Sequence, residues 1–414
     1  TYPIEKGMLW EEKNAIYKHT VSCSSLRCID LNKIRSKKFK VVVDAVNGAG
    51  ALALPAMLDM LGCEVIKLDC EPSGAFNRGT EPLPENLRTL SQNVIQNNAD
   101  VGFAVDPDAD RLAVVDENGT PLGEEYSLVL AADGYINFLK VEKETFVSNL
   151  STSLALDKLA SSKKCQVIRS AVGEINVVNK MNELGSNLGG EGNGGVILRE
   201  CHLGRDSLVA VTMVLNRMAQ SENKLSVIHQ GLPQYKIVKD KVRIEGVNVE
   251  KFLDRVDSIF QSGEKNTIDG LKITWDDKWV HLRGSNTEPI IRIYAEALSE
   301  EIAEIEKSRA ESAEERSRIK RQVDQSVASL NIWFDILFAK FDDAKERLSS
   351  FKAVAETGLA SDPNALVPYL KLRAHLHLME GNPEQAIEVY SDVPQTLLDC
   401  LLYTSDAADD VLCV

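Results

Sequence analysis

Apolar and polar positions divide the chain into segments of different period. Between residues 38 and 232, apolar runs of four or five residues alternate with longer segments in which apolar residues recur every three or four positions. This order predicts strands alternating with helices in mixed α/β sheets. Two of the runs, 101–105 and 112–115, flank an acidic loop. We therefore expect that loop at the carboxyl end of a strand, where α/β proteins tend to bind ligands.

The next part of the chain, residues 234–298, has mainly strand-like character. One helix is predicted near 249–260, and short apolar runs predict strands at 235–242, 271–275, 279–283 and 290–295. Several strands with one helix are typical of a smaller α+β domain.

Beyond residue 300 the pattern becomes helical. Apolar residues recur at steps of three and four from Ile319 to Phe351, as in an amphipathic helix. Residues 365–390 resemble a single tetratricopeptide-like hairpin, and one such unit cannot build a solenoid. Residues 399–414 have no period and resemble translated adapter DNA, so we expect them to be non-native.

We predict an α/β fold with two tandem mixed α/β sheet domains, a smaller α+β domain and an all-α C-terminal extension. The predicted segments are 1–35 (remnant of a preceding domain and linker), 36–140, 141–232, 233–300, 301–398 (helical extension) and 399–414 (tail).

Composition and charge narrow the classes of partner. The net charge of -15 over 414 residues argues against nucleic acid or an anionic membrane as the main partner, although a local group of arginines could still bind an anion. The eight cysteines form no CxxC motif and no dense framework, which favours a reducing, cytoplasmic location. No signal peptide or 18-residue apolar run is seen, and because the chain starts without Met we expect a fragment.

The acidic loop carries the clearest chemistry. Asp106, Asp108 and Asp110 stand at every second position, which in an extended loop turns all three side chains to one side. Carboxylates so close repel one another unless a cation lies among them, and hard oxygen ligands suit Mg2+ or Ca2+, not zinc. Arg111 follows directly and would place a guanidinium beside the metal, as an anionic phosphoryl group needs.

Two other interpretations of this loop remain open. Together with Glu117, its carboxylates fall at positions 1, 3, 5 and 12 of the EF-hand pattern. That pattern needs Gly where this chain has Arg111, and it needs helical flanks. The flanks alternate like strands, and Asn118-Gly119 is typical of a hairpin turn. The second alternative is an acidic surface turn without a ligand.

Three further loops could approach a ligand. A Gly-Ala-Gly turn at 48–50 could bind phosphate at a helix start or be a tight structural turn. The Gly-dense loop 189–195 indicates close backbone approach by a ligand, or a flexible turn. The segment 283–289 combines an arginine, hydroxyls, an amide and a glycine, a composition suited to a phosphate.

In this order and spacing, the acidic loop, the Gly-Glu-x-Asn-Gly loop and the Arg-x-Ser-Asn-Thr-Glu-Pro loop resemble the α-D-phosphohexomutase family, which includes phosphoglucomutases, phosphomannomutases and phosphoglucosamine mutases. The resemblance covers about residues 20–298 and favours the phosphoglucosamine and phosphomannomutase branch. It makes the predicted segments 36–140, 141–232 and 233–300 the family's domains II, III and IV. It implies that a phosphoserine donates its phosphoryl group to a hexose phosphate. A bisphosphorylated sugar forms, and the other phosphoryl group is then returned, which isomerises the 1- and 6-phosphates.

The resemblance also implies a role for each matching residue. Arg111 would lie beside the transferred group. The Mg2+ ligands would be Asp106, Asp108 and Asp110. The sugar hydroxyls would be read by Glu191 and Asn193. The non-reacting phosphate would be bound by Arg283, Ser285, Asn286 and Thr287.

The chain departs from the family pattern in several places. The family's Ser-His-Asn-Pro loop with the phosphorylated serine does not occur in this sequence, so we expect the chain to be inactive alone. Gly195 stands where some members have a histidine, which leaves no general base to name. The alternatives are a non-catalytic sugar-phosphate-binding module and a helical scaffold that uses residues 303–395. The helical extension is a candidate surface for a protein partner.

Overall fold

The computed structural model describes most of the chain up to residue 299. The described residues are 12–243, 249, 253–254, 256–257, 262–284, 290–299, 303, 307 and 373. The chain forms two compact units, and the first consists of residues 1–241, 260–283 and 292–307. All described site residues lie in this first unit.

The first sheet has four strands and is mostly parallel. In spatial order they are β2 (Glu64–Leu68), β1 (Lys40–Asp44), β3 (Val101–Val105) and β4 (Leu112–Asp116). β1 pairs in parallel with both neighbours, while β4 runs antiparallel to β3. β3 and β4 are buried throughout, which explains why their residues are apolar up to the last one of β4, Asp116. The edge strand β2 is only partly buried and carries the polar residues Glu64 and Lys67.

Helices cover both faces of this sheet. α3 (Gly50–Met60) and α4 (Arg88–Gln96) pack on its strands, while α1 (Ala15–Ser24) and α2 (Leu31–Lys37) pack on other helices. Leu90 and Val94 of α4 pack with Val42 on one face. Leu54 and Met57 of α3 belong to the core on the other face, with Val41 and Val43 of the same strand. The period-two alternation of the strand therefore divides its valines between two cores.

The second sheet repeats this arrangement. In spatial order its strands are β6 (Gln166–Ser170), β5 (Thr145–Asn149), β7 (Leu188–Glu191) and β8 (Gly195–Leu198), with only β8 antiparallel. Its helices are α5 (Glu125–Leu139), α6 (Leu154–Ser162), α7 (Glu174–Leu184) and α8 (Ser207–Ala219), and α9 (Leu225–Gln230) follows them in the chain. α5 and α8 pack against each other and are almost wholly buried, so their residues join one continuous core with the first sheet.

The third sheet has five strands, in the spatial order β10, β11, β12, β13, β9. The ranges are β9 (Lys236–Arg243), β10 (Glu264–Asn266), β11 (Leu271–Thr274), β12 (Trp279–Gly284) and β13 (Ile290–Ala297). β11 runs antiparallel to both β10 and β12. Buried Trp279 and Glu296 contact each other through an indole N–H to carboxylate hydrogen bond of 2.5 Å.

The predicted mixed α/β sheets are confirmed, with local differences. The prediction of a loop over the Gly-dense stretch 189–195 is wrong for its first part, because Gly189 to Glu191 belong to β7 and the stretch forms a hairpin with β8. Helices α2 and α9 and strand β10 were not predicted. The predicted all-α extension, and most of the predicted helix at 249–260, lie outside the described residues. Among the described helices, none has the length and apolar character to cross a bilayer.

Candidate active site

The acidic loop begins where β3 ends. Asp106 is fully buried, and its Oδ1 accepts hydrogen bonds from the backbone N–H groups of Asp110 (3.1 Å) and Arg111 (3.0 Å). The loop therefore closes around its first carboxylate, as short Asx-containing turns do. The strands on both sides exclude the EF-hand alternative, which needs helices there.

The three aspartates converge as the spacing predicts. One carboxylate oxygen from each of Asp106, Asp108 and Asp110 lies within 4.8 Å of the other two. Asp108 is exposed, whereas Asp110 is partly buried and its Oδ1 has no hydrogen-bond partner among the described residues. Burial, and next the charge of Asp106, raise the pKa of Asp110 to about 7. An all-oxygen donor set with one unsatisfied oxygen fits a hard divalent cation.

Arg111 lies against these carboxylates. Its Nε donates to Asp106 Oδ2 at 2.6 Å and lies 3.6 Å from Asp110 Oδ1. Its Nη1 is also 3.4 Å from Glu81 Oε1. The guanidinium is thus held at the edge of the acidic loop, next to the proposed cation ligands.

Two glycines bring other backbone segments onto the acidic loop. The Ala49 N–H donates to the Pro107 carbonyl at 2.7 Å, and a Cβ on Gly48 would lie 2.4 Å from that carbonyl oxygen. A Cβ on Gly194 would likewise lie 2.4 Å from the Leu112 carbonyl oxygen. Both glycines are needed because the chain's own backbone approaches closely. For the Gly-Ala-Gly turn, this contact favours the structural alternative over phosphate binding.

Arg205 is a site residue that sequence reasoning missed. Its Nη2 donates to Asp110, and its Nη1 donates to Glu191 Oε2 at 2.8 Å. Its backbone N–H donates to Glu174 Oε1 at 2.7 Å. One guanidinium therefore joins the acidic loop of the first sheet to β7 of the second. The only sequence signal was an arginine at the polar start of α8, and no spacing connects it to Asp110.

Glu191 and Asn193 lie in the hairpin of the second sheet. Glu191 is 3% exposed, and its Oε1 accepts from Asn149 Nδ2 (2.7 Å) and from the Gly173 N–H (3.0 Å). Asn193 is half-buried and accepts from the Gly195 N–H at 3.2 Å. Arg205 thus connects Glu191 to the acidic loop, and Asn193 lies in the turn that follows Glu191.

Of the predicted phosphate loop, residues 283–289, the structure describes residues 283 and 284. Arg283 lies near the end of β12, and its Nη1 is 3.6 Å from Asp269 Oδ2. The same Asp269 oxygen accepts from the Val172 N–H, which precedes α7, at 3.0 Å. Ser285, Asn286 and Thr287 lie outside the described residues, so their assignment stays a prediction.

Comparison with known proteins identifies the family. Models of phosphoglucomutase/phosphomannomutase domain II, domain III and the C-terminal domain match residues 17–119, 123–235 and 238–315. The three matches together cover well over half of the chain. The protein belongs to the phosphoglucomutase/phosphomannomutase family, the α-D-phosphohexomutases.

Curated relatives match over the same region. A phosphoglucomutase/phosphomannomutase of Thermococcus kodakarensis is 38% identical over 277 residues, which are 66% of this chain and 60% of the relative. A protein of Pyrococcus horikoshii named "probable phosphoglucosamine mutase" is 36% identical over 278 residues, 66% of this chain and 61% of the relative. The chain thus spans about 60% of the length of these relatives.

Solved structures show the same fold. A phosphoglucomutase/phosphomannomutase family protein of Burkholderia thailandensis matches with a TM-score of 0.61 at 24% identity, over 70% of this chain and 64% of that one. An N-acetylphosphoglucosamine mutase of Aspergillus fumigatus, solved with GlcNAc-6P and magnesium, matches with a TM-score of 0.51 at 14% identity, over 72% and 69% of the two chains. At these identities the likeness establishes the fold alone.

Proposed function

We propose that the chain forms the metal-binding and sugar-binding part of a phosphohexomutase. This enzyme would move a phosphoryl group between the 1- and 6-positions of a hexose or hexosamine phosphate, of the phosphoglucosamine or phosphomannose type, through a bisphosphorylated intermediate. The observation that carries the proposal is the convergence of Asp106, Asp108 and Asp110 within 4.8 Å, with Arg111 beside them. Phosphoryl transfer depends mainly on positioning and on positive charge, which Arg111 and a cation held by the aspartates would supply.

The three aspartates are proposed to hold Mg2+. When bound, the ion would supply positive charge that stabilises a phosphoryl group in transfer. Support comes from the all-oxygen donor set, from the unsatisfied Asp110 Oδ1 and from a magnesium complex of a mutase with the same fold. Arg111 is proposed to add a fixed donor for a phosphoryl oxygen at the edge of this site.

Sugar recognition is assigned to the hairpin of the second sheet. An ionised carboxylate offers about four acceptor positions, and three of those of Glu191 are used by Asn149, Gly173 and Arg205. The remaining position could accept one sugar hydroxyl. Asn193 is more exposed, and among the described residues only its amide oxygen has a hydrogen-bond partner, so its N–H groups can donate to a hydroxyl. Binding of the non-reacting phosphate group of the substrate is assigned to Arg283 with Ser285, Asn286 and Thr287.

The phosphorylated serine must come from a Ser-His-Asn-Pro loop, a motif that this sequence does not contain. We therefore propose that the described domains bind the sugar phosphate but do not turn it over by themselves. The second candidate function, a non-catalytic sugar-phosphate-binding module, needs only the metal-binding and sugar-binding residues of these domains.

A reconstitution experiment distinguishes the two functions. The full chain is mixed with a separately produced first domain from the Thermococcus relative, with Mg2+, a sugar 1-phosphate and a glucose 1,6-bisphosphate primer. The product is followed by phosphorus NMR. If the chain is part of an enzyme, the sugar 6-phosphate should appear only when both proteins are present. Asp108→Asn should then abolish its formation. Tight binding of the bisphosphate without any turnover would instead support the binding module.

A further inference from the structure

A cluster of metal-binding side chains lies outside the acidic loop. His19 and Cys23 stand four residues apart on α1, so both project from the same face of the helix. That face packs near α8, which follows the segment containing Cys201 and Asp206. One donor atom from each of these four residues lies within 4.8 Å of the other three.

We propose that His19, Cys23, Cys201 and Asp206 bind Zn2+ at a second, structural metal site. Two sulfurs, an imidazole and a carboxylate are ligands that zinc accepts, and four ligands complete its tetrahedral geometry. The acidic loop offers only hard oxygens, so the two sites select different ions by donor chemistry. Nothing in the proposed phosphoryl transfer uses this cluster.

The distances describe a compact group of donors. His19 Nε2 lies 2.7 Å from Asp206 Oδ2 and 3.6 Å from Cys23 Sγ. Cys201 Sγ lies 3.7 Å from Ser22 Oγ. Cys23 and Asp206 are buried, whereas the His19 side chain is 37% exposed. The cluster therefore has two buried ligands and an open side through which an ion can reach them.

Neighbouring contacts orient Asp206 for this role. Its Oδ1 accepts from the backbone N–H groups of Leu208 (2.8 Å) and Val209 (3.2 Å), and so caps α8. Its Oδ2 is left facing the cluster, where His202 Nε2 also lies at 2.8 Å. Such a hydrogen bond to a ligating carboxylate is a common second contact around protein metal ions. We infer that His202 orients the Asp206 carboxylate toward the metal ion.

The site would fasten α1 to the start of α8. That start also holds the acidic loop, because Ser207 Oγ donates to the Ala109 carbonyl at 2.6 Å and Arg205 donates to Asp110. Zinc binding is expected to raise the melting temperature, since a metal that binds the folded chain better than the unfolded chain stabilises it.

Cobalt substitution tests the proposal directly. The full chain is reduced, stripped of metal with a chelator and titrated with Co2+. We expect a near-ultraviolet sulfur-to-cobalt charge-transfer band that saturates at a single ion per chain and disappears when Zn2+ is added. Oxygen ligands cannot produce this band, so Co2+ bound in the acidic loop does not imitate it.

Variants assign the ligands. Cys23→Ser and Cys201→Ser should each abolish the charge-transfer band and the rise in melting temperature caused by Zn2+. The matched control is Cys165→Ser, since Cys165 is also buried but, in the part of the chain that the structure describes, its sulfur hydrogen-bonds with backbone carbonyls alone. Asp108→Asn should leave the band intact. The proposal is overturned if the wild-type chain gives no band, or if a band survives both variants at Cys23 and Cys201. The wild-type titration decides this even if a variant fails to fold.

Discussion

Replacing Arg205 tests whether one side chain holds the acidic loop and the sugar hairpin together. Arg205→Ala removes the donors to Asp110 and to Glu191 Oε2, the latter at 2.8 Å. Glu191 keeps its bonds to Asn149 and Gly173 but loses its only positive partner among the described residues while 3% exposed. Breaking a buried ion pair from one side costs about 3–5 kcal/mol.

The expected cost lies near the lower end of that range. The Asp110 side chain is 19% exposed, so solvent compensates part of its loss, and we expect Arg205→Ala to lower the free energy of unfolding by about 3 kcal/mol. Arg205→Lys keeps the charge but cannot reach both carboxylates with a planar fork, and should cost roughly half as much. The measurement is urea unfolding followed by circular dichroism.

A double-mutant cycle gives the decisive comparison. Glu191→Gln removes the charge that Arg205→Ala leaves uncompensated, so the double variant should be more stable than the sum of the single effects predicts, by about 1–3 kcal/mol. Arg217→Ala is the matched control, because Arg217 pairs with buried Asp133 between α8 and α5 and should show no coupling to Glu191→Gln. A cost below about 1 kcal/mol for Arg205→Ala, or strict additivity, would refute the bridging role.

Two further predictions concern pH and packing. Burial lowers the pKa of His281 from its ordinary 6.5 to about 4. Between pH 6.5 and about pH 4 the unfolded chain therefore binds more protons than the folded chain. The free energy of unfolding should fall by about 3 kcal/mol as the pH drops through this range. His281→Gln should flatten this part of the stability–pH curve, while Ser151→Ala, which removes only the 2.9 Å contact with the imidazole, should keep the slope. Gly48→Ala should displace Pro107, costing about 1–3 kcal/mol in thermal unfolding and weakening Mg2+ binding. Gly231→Ala, with no contact tighter than 3.4 Å, should do neither.

Local patterns predicted the strands and the acidic loop because both depend on neighbouring residues. β3 and residues 112–115 of β4 are unbroken apolar runs, and the spacing of the aspartates already places their oxygens together. Arg205 could not be found in this way. It reaches Asp110 across 95 positions of sequence, and only the packing of α8 near the first sheet brings them together. The same holds for the partnership of Cys23 with Cys201.

The density of glycines in the hairpin correctly indicated a close approach to the backbone, but at Gly194 and Gly195 the approaching group is part of the protein. The hairpin glycines were expected to let a ligand approach the backbone. At Gly194 the approaching group is the carbonyl of Leu112, and at Gly195 it is the side chain of Arg205, whose Cδ would lie 2.3 Å from an added Cβ. Composition indicates that something comes close to the backbone, but only the fold shows what it is.

Calorimetric titration of the full chain with Mg2+ measures whether Asp106, Asp108 and Asp110 together bind a divalent cation. Asp108 is the exposed member, so Asp108→Asn should leave the unfolding curve unchanged. We expect this variant to weaken Mg2+ binding by at least about tenfold, or about 1.4 kcal/mol, and Glu85→Gln, at another exposed carboxylate of the same sheet domain, to leave it unchanged. Equal Mg2+ affinity in Asp108→Asn and wild type would contradict this prediction.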